Sequence, residues 1–218
     1  RPPQAQEWGI AAHEGREWLM HGSMPLIAAA ELGLAGRHNQ ANALAALAMG
    51  KHLGFSLASM CQVLRRFKGL AHRSEVLADI DGVRWINDSK GTNVGATLAA
   101  LAGLGPTLSG RLVLLAGGQG KGANFAPLAE PMARYGREAI LFGADAHKLA
   151  AALEGSVAVS RVADLDAAMQ RARAIAEPGD CVLLSPACAS LDQFPSYLAR
   201  GEAFRQQVQR FAEEAEHG

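Results

Sequence analysis

Between Gly82 and Thr97 the sequence runs GVRWINDSKGTNVGAT. Val83, Trp85 and Ile86 form an apolar run of strand type, which stops at a dense polar cluster of Asn87, Asp88, Ser89, Lys90, Thr92 and Asn93. From Val94 to Leu104 the residues are small, apolar and helix-forming, with Thr92 or Asn93 available as N-cap. The unit is therefore strand, polar loop, helix. Free amides and the helix dipole favour an anion at such a turn, although a capped βα turn with ordinary polar residues has the same outline.

The same grammar repeats downstream. Strands are expected at Ser74–Ile80, Val83–Ile86, Leu112–Ala116, Ala139–Phe142, Val157–Val162 and Cys181–Leu184. Helices are expected at Val94–Leu104, Pro127–Tyr135, His147–Leu153, Leu165–Ile175 and from about Asp192 to Glu216. Strands separated by helices imply right-handed crossovers and a mostly parallel sheet covered on both faces. The fold class is α/β, a doubly wound, Rossmann-like domain with ligands gathering beyond the carboxyl ends of its strands.

Upstream the pattern differs. Gly9–His21 reads as a hairpin turning near Glu14 and Gly15, and Leu26–Leu34 is a further apolar segment. Ala41, Leu44, Ala45, Leu47 and Ala48 recur at helical spacing. A second helix from Ser56 to Phe67, capped by Ser56, presents Leu57, Met60, Val63, Leu64 and Phe67 as its buried stripe. Helices give way to strands at Lys68, Gly69 and Leu70, so a boundary is expected there, with domains at residues 1–68 and 69–218.

With 218 residues, 49% of them hydrophobic, the chain can bury a sizeable core. Its 21 basic and 21 acidic residues balance, which argues against a nucleic-acid surface. No apolar run spans a bilayer, and no signal peptide is recognisable at the start. Cys61, Cys181 and Cys188 show neither CxxC spacing nor an even disulfide framework, so a reducing, cytoplasmic setting is expected. His13 and His21 have no Cys or carboxylate at ligand spacing and read as surface residues. The chain opens at Arg1 without Met, which suggests a piece of a longer protein.

Further segments carry possible chemistry. Asn39 and Asn42 share one face of a helix start, where they are either first-turn polar residues or two amides reading the edge of a base such as adenine. His72 and Arg73 stand at the expected hinge, where an Arg can hold a phosphate or simply face solvent. LLAGGQGKGANF, Leu114 to Phe125, runs a strand into four glycines around Lys121, a backbone made for close approach to an anion. It is not a Walker A loop, because Leu115 and Gly122 stand where Gly and Ser or Thr are needed. LLSPACASLDQFPSYLARG, Leu183 to Gly201, ends a strand in Ser185, Ser190 and Asp192 before a helix. Ser190 is there an N-cap or part of a carboxylate-binding turn. No GxSxG elbow is present, and Cys188 has no patterned base. Asp88 and Lys90 are either a local ion pair or, for Asp88, a ribose contact.

Taken together and in order, GRHNQANALAALA, GLAHRSEV, GVRWINDSKGTNVGAT, LLAGGQGKGANF and LLSPACASLDQF closely resemble the Mur ligase family, in its D-glutamate-adding branch. The resemblance is strongest from about Gly36 to Gly201. It implies that residues 1–68 are the end of a central ATP-binding domain and 69–218 a C-terminal domain that takes D-glutamate. It implies a reaction in which ATP converts the carboxylate of UDP-N-acetylmuramoyl-L-alanine to an acyl phosphate, which the amine of D-glutamate attacks. By the same resemblance Asn39 and Asn42 are adenine-side contacts, Asp88 the ribose contact and Arg73 a phosphate ligand. His72 and Lys90 lie near the reacting centre, and Lys90, Thr92, Lys121, Ser190 and Leu191 clamp D-glutamate. Tyr197 stands where relatives have Phe, keeping the shape and adding a hydroxyl. The family's P-loop, Mg2+ ligands, carbamylated lysine and uridine pocket would lie upstream of Arg1, so this stretch alone is not expected to ligate. A non-catalytic anion- or amino-acid-binding module, or another amide ligase of the superfamily, are the competing readings.

Overall fold

The computed structural model describes residues 3–34 and 37–217; Gly36, which opens the asparagine-bearing motif, lies outside them. The chain divides into two compact units, Arg1–Gly69 and Leu70–Gly218.

In the first unit β1 (Trp8–His13) and β2 (Arg16–His21) form an antiparallel hairpin. Glu14 and Gly15 turn it with φ of 50° and 75°, the left-handed pair that suits the twist of flanking strands. β3 (Met24–Ala28) adds to β2 where the sequence showed only an apolar segment. Helices α1 (Arg37–His52) and α2 (Leu57–Arg66) follow, and Ser56 Oγ accepts the Ser59 amide as the N-cap. Leu19, Ile27, Ala43, Leu47 and Cys61 form the core. The buried face therefore departs from the expected stripes. On α2 it is Leu57, Met60, Cys61 and Leu64, an i, i+3, i+4, i+7 set, which leaves Val63 and Phe67 exposed. On α1 it is Ala43, Leu44 and Leu47, with Ala41 and Ala45 exposed.

The second unit is built on a six-stranded sheet. Its elements are β4 (Glu75–Ile80), β5 (Val83–Asn87), α3 (Val94–Leu104), β6 (Leu112–Gly117), α4 (Ala129–Tyr135), β7 (Gly136–Phe142), α5 (Ala146–Leu153), β8 (Ala158–Arg161), α6 (Leu165–Ile175), β9 (Cys181–Leu184) and α7 (Tyr197–His217). The strand order is β4-β5-β9-β6-β7-β8, with β4 antiparallel to β5 and the other pairs parallel. Alternate residues of the strands feed two cores. Leu112, Leu114, Leu141 and Leu183 pack with Leu101, Met132 and Leu149 of α3, α4 and α5. Val113, Leu115, Ile140 and Val182 pack with Met169 of α6 and Phe204, Val208 and Phe211 of α7. The chain moves one way across the sheet under α3, α4 and α5 and returns under α6. A right-handed crossover puts that return on the opposite face.

Helix α7 begins five residues later than Asp192, the expected start. Pro195 lacks an amide proton and keeps Phe194 out of helical conformation, and Ser196 becomes the cap, its Oγ accepting the Ala199 amide at 3.1 Å. Ser190 consequently sits in a turn and caps no helix, its carbonyl accepting the amides of Gln193 and Phe194.

The amino end of β9 is stapled by Asp180, whose carboxylate accepts Arg137 Nε at 2.5 Å and the amides of Arg111 and Glu177 at 2.7 and 3.0 Å. Burial by itself would raise its pKa, but the guanidinium and the amides outweigh that and hold the carboxyl below its ordinary value. Because the folded value is the lower one, the unfolded chain binds more protons between the two values. This contribution to stability is full above the unfolded value and is lost as pH falls through the folded one. In acid titrations of urea unfolding, Asp180→Asn flattens the loss of stability below about pH 4.

Candidate functional site

The loops that leave β5, β6 and β9 meet at the carboxyl end of the sheet. Asp88 N–H donates to Leu184 O and Ala187 N–H to Gly91 O, tying the β5 and β9 loops. Gly117 N–H donates to Pro186 O, and Gln119 and Ala189 exchange two amide bonds, tying the β6 and β9 loops. These contacts need glycine. A Cβ on Gly117 would stand 1.8 Å from Phe142 O, and one on Gly118 2.1 Å from Ala189 O.

Asp88 is buried and turned inward, its Oδ2 accepting Ser185 Oγ at 2.7 Å and its Oδ1 the Ser74 amide at 3.0 Å. Desolvation pushes its pKa up against those hydrogen bonds. The Asp88–Lys90 ion pair that the spacing allows is not made. Lys90 Nζ lies 4.0 Å from the centre of the Tyr197 ring instead, a cation on an aromatic face. Asn93 is the cap of α3, its side chain accepting the Ala96 amide at 3.0 Å, and Thr92 lies in the turn before it. Lys121 is exposed, at a φ of 51°, on the glycine loop. That loop is anchored from below by Asp145, which accepts the Gly120 amide at 2.7 Å and pairs with Lys148. Ser190 is 4% exposed and its hydroxyl has no hydrogen-bond partner among the described residues, while Leu191 beside it is 60% exposed. His72 is buried, Arg73 is exposed, and His72 O accepts the Lys90 amide at 3.0 Å.

His72, Arg73, Asp88, Lys90, Thr92, Lys121, Ser190, Leu191 and Tyr197 thus all belong to the second unit, on the joined strand-end loops or the segments flanking them. Asn39 and Asn42 belong to α1 of the first unit, Asn42 exposed and Asn39 half-buried. Among the described residues no group of three or more His, Cys, Asp or Glu is placed to hold a metal ion.

The most consequential residue was missed in the sequence. Arg200 is fully buried on α7 and has no carboxylate partner among the described residues. Its Nε donates to Ser89 Oγ at 3.1 Å, one terminal nitrogen to Ser89 O at 3.0 Å and both terminal nitrogens to Cys188 O at 3.3 Å. It therefore clamps the β5 loop to the β9 loop. Burial lowers its pKa to about 10, which leaves it charged at neutral pH. A signal existed: position 200 lies on the same stripe as Phe204, Val208 and Phe211, and an arginine on a helix's apolar stripe needs an internal partner. Burial pushes the Cys181 and Cys188 thiols up to about 12, so neither is a nucleophile.

This is a doubly wound α/β domain whose strand-end loops carry lysines that make no ion pair with a carboxylate among the described residues. A family model described as Mur ligase, glutamate ligase domain matches residues 72–188, more than half the chain, and the chain belongs to that family. A curated relative from Chromohalobacter salexigens, a UDP-N-acetylmuramoylalanine–D-glutamate ligase, is 65% identical over 204 residues, which are 94% of this chain and 45% of the relative. A ligase of the same name from Pseudomonas aeruginosa is 47% identical over 96% of this chain and 47% of its own length. The chain spans less than half the length of these relatives. Among solved structures, MurF from Thermotoga maritima in complex with ADP has a TM-score of 0.61 at 16% identity, covering 96% of this chain and 46% of its own. Escherichia coli FolC in complex with ADP has a TM-score of 0.66 at 17% identity, covering 95% and 47%. Both are likenesses of fold.

Replacing Arg200 by Met keeps the bulk and removes the clamp, leaving the Ser89 and Cys188 carbonyls without their donors. Urea unfolding of Arg200→Met should show a loss of about 2–4 kcal/mol. Cys181 and Cys188 should remain unlabelled by iodoacetamide in the native chain at about pH 8 and react after denaturation.

Proposed function

We propose that the second unit holds the amino-acid substrate of an ATP-dependent amide ligase, D-glutamate, for joining to UDP-N-acetylmuramoyl-L-alanine in the cytoplasm. The observation that carries this reading is the set of Lys90, Lys121, Thr92 and Ser190 on three strand-end loops, those after β5 and β6 each hydrogen-bonded to the one after β9. A dicarboxylate needs more than one cation at fixed positions, and these loops supply two lysines with no carboxylate to neutralise them among the described residues. The name shared by two relatives, 65% and 47% identical, supports the same choice.

In this reading Lys121 and the unpartnered Ser190 hydroxyl hold one carboxylate. Lys90, oriented by the Tyr197 ring, and Thr92 hold the other and fix the direction of the amine, while exposed Leu191 covers the chain of the amino acid. Fixing two carboxylates at once converts a bimolecular attack into a positioned one. Residues 1–68 are assigned to the end of the central ATP-binding domain and 69–218 to the amino-acid-binding domain. Asn39 and Asn42 serve the adenine side and Arg73 a phosphate. Asp88 Oδ1 accepts both the amide and the hydroxyl of Ser74, while Oδ2 keeps a second lone pair beside its bond to Ser185, which is what a ribose hydroxyl would use. Bound ATP supplies the phosphoryl group that activates the acceptor carboxylate. Among the described residues no group of His, Cys, Asp or Glu is placed to hold Mg2+.

Calorimetric titration of the chain with D-glutamate, L-glutamate and ADP tests the reading. D-glutamate should bind in preference to L-glutamate, and Lys121→Ala should weaken D-glutamate at least tenfold, about 1.4 kcal/mol, with ADP changed little. Equal weakening of both ligands would count against Lys121 as an amino-acid contact.

A further inference from the structure

His72 carries an imidazole on a left-handed backbone, φ 63°, with the side chain buried. Its Nδ1 lies 3.0 Å from Asn87 Nδ2. A ring nitrogen can donate or accept, so this contact alone leaves the proton unassigned. The other partners of Asn87 assign it. Asn87 Oδ1 accepts the Ser89 amide N–H at 3.2 Å, and Nδ2 donates to the Gly201 carbonyl at 2.9 Å. Both partners are backbone groups of fixed polarity, so turning the Asn87 amide end for end would break both bonds. Nδ2 therefore brings its second N–H to His72, and Nδ1 receives it as a lone pair.

We infer that Asn87 is a positioning residue that fixes His72 as the Nε2–H tautomer, making this ring a hydrogen-bond donor to an anionic oxygen and not a base. Neither nitrogen then has a free lone pair with which to take a proton. The Nδ1 edge is closed by Gly201, where a Cβ would stand 2.3 Å from Nδ1. The opposite nitrogen has no hydrogen-bond partner among the described residues. It is not sealed either, for the one buried side-chain nitrogen or oxygen lacking a partner among those residues is Trp18 Nε1. Through its own carbonyl His72 holds the Lys90 amide, and Arg73 follows it in sequence. An N–H donor in a segment that also carries Arg73 suits an oxygen of a phosphate or of a carboxylate. Only the identity of that oxygen rests on the ligase reading; the tautomer stands on the Asn87 contacts.

The test is long-range proton–nitrogen NMR of the chain labelled with 15N-histidine, at neutral pH, with inorganic phosphate and D-glutamate titrated separately. The expected result is a His72 signal with Nδ1 at the position of an unprotonated ring nitrogen and Nε2 at that of a protonated one. Nε2 should move on adding whichever anion supplies the oxygen. Asn87→Ala should mix the tautomers and weaken that anion roughly three- to tenfold. His72→Gln, which sets an N–H where Nε2 stood, should retain more affinity than His72→Asn, which does not. An Nδ1–H pattern in the native chain, or the averaged pattern of a free imidazole, overturns the inference and needs no variant to fold. The expected tautomer with Nε2 unmoved by either anion overturns the donor role. Failure of the ligase reading shows separately, as an absence of D-glutamate binding while the tautomer and the phosphate response hold.

Discussion

Strand β9 is the last strand of the chain and lies between β5 and β6, pairing in parallel with both. The hydrogen bonds that tie the three strand-end loops together run through the end of this strand and the segment after it, from Leu184 to Ala189. At its amino end Asp180 fixes the strand to the segments that open β6 and β7. At its carboxyl end the Cys188 carbonyl is held by Arg200. A fully buried strand pinned at both ends gives the loops a frame that does not depend on their own weak conformational preferences.

Arg200 shows what this frame costs. A guanidinium removed from water without an ion-paired carboxylate loses hydration that the more distant attraction of Asp192 does not return. Several hydrogen bonds to two carbonyls and a hydroxyl offset part of that loss, and each is strengthened by the low polarity around it. The return is specificity of arrangement. Ser89 and Cys188 are far apart in the chain, and only one relative position of their loops satisfies the planar fork. Tyr197, Arg200 and Gly201 project from one turn of α7, so the ring under Lys90, the clamp on Ser89 and the seat of His72 move as a unit.

The architecture was largely readable because apolar strands and amphipathic helices alternate with little ambiguity from Ser74 onward. The short irregular pieces were harder. Met24 to Ala28 is a strand only because β2 offers it an edge, and a local pattern cannot reveal a partner. The start of α7 was misread because Asp192 and Gln193 look like good first-turn residues, while Pro195 just beyond them decides the matter. In the candidate site, the residues the sequence singles out are those with conspicuous chemistry: lysines among glycines, and serines at strand ends. The supporting residues did not. Asn87 looks like one more polar loop residue, Asp145 lies beyond the next strand, and Arg200 passes for a solvent-facing helix residue. Their roles arise from neighbours distant in sequence, which spacing does not encode.

The position of β9 also bears on how the domain comes to be folded. Strands β5 and β6 are consecutive along the chain but do not touch; the gap between them is filled by a strand made some seventy residues after β6 begins. During synthesis the early half of the sheet emerges with an empty slot and two unpaired strand edges. It closes only when the final strand and helix arrive. Such long-range parallel pairing is slow, and open edges invite pairing with other chains. A nascent domain of this design is therefore most exposed to aggregation just before β9 and α7 leave the ribosome, the same elements that tie its strand-end loops together.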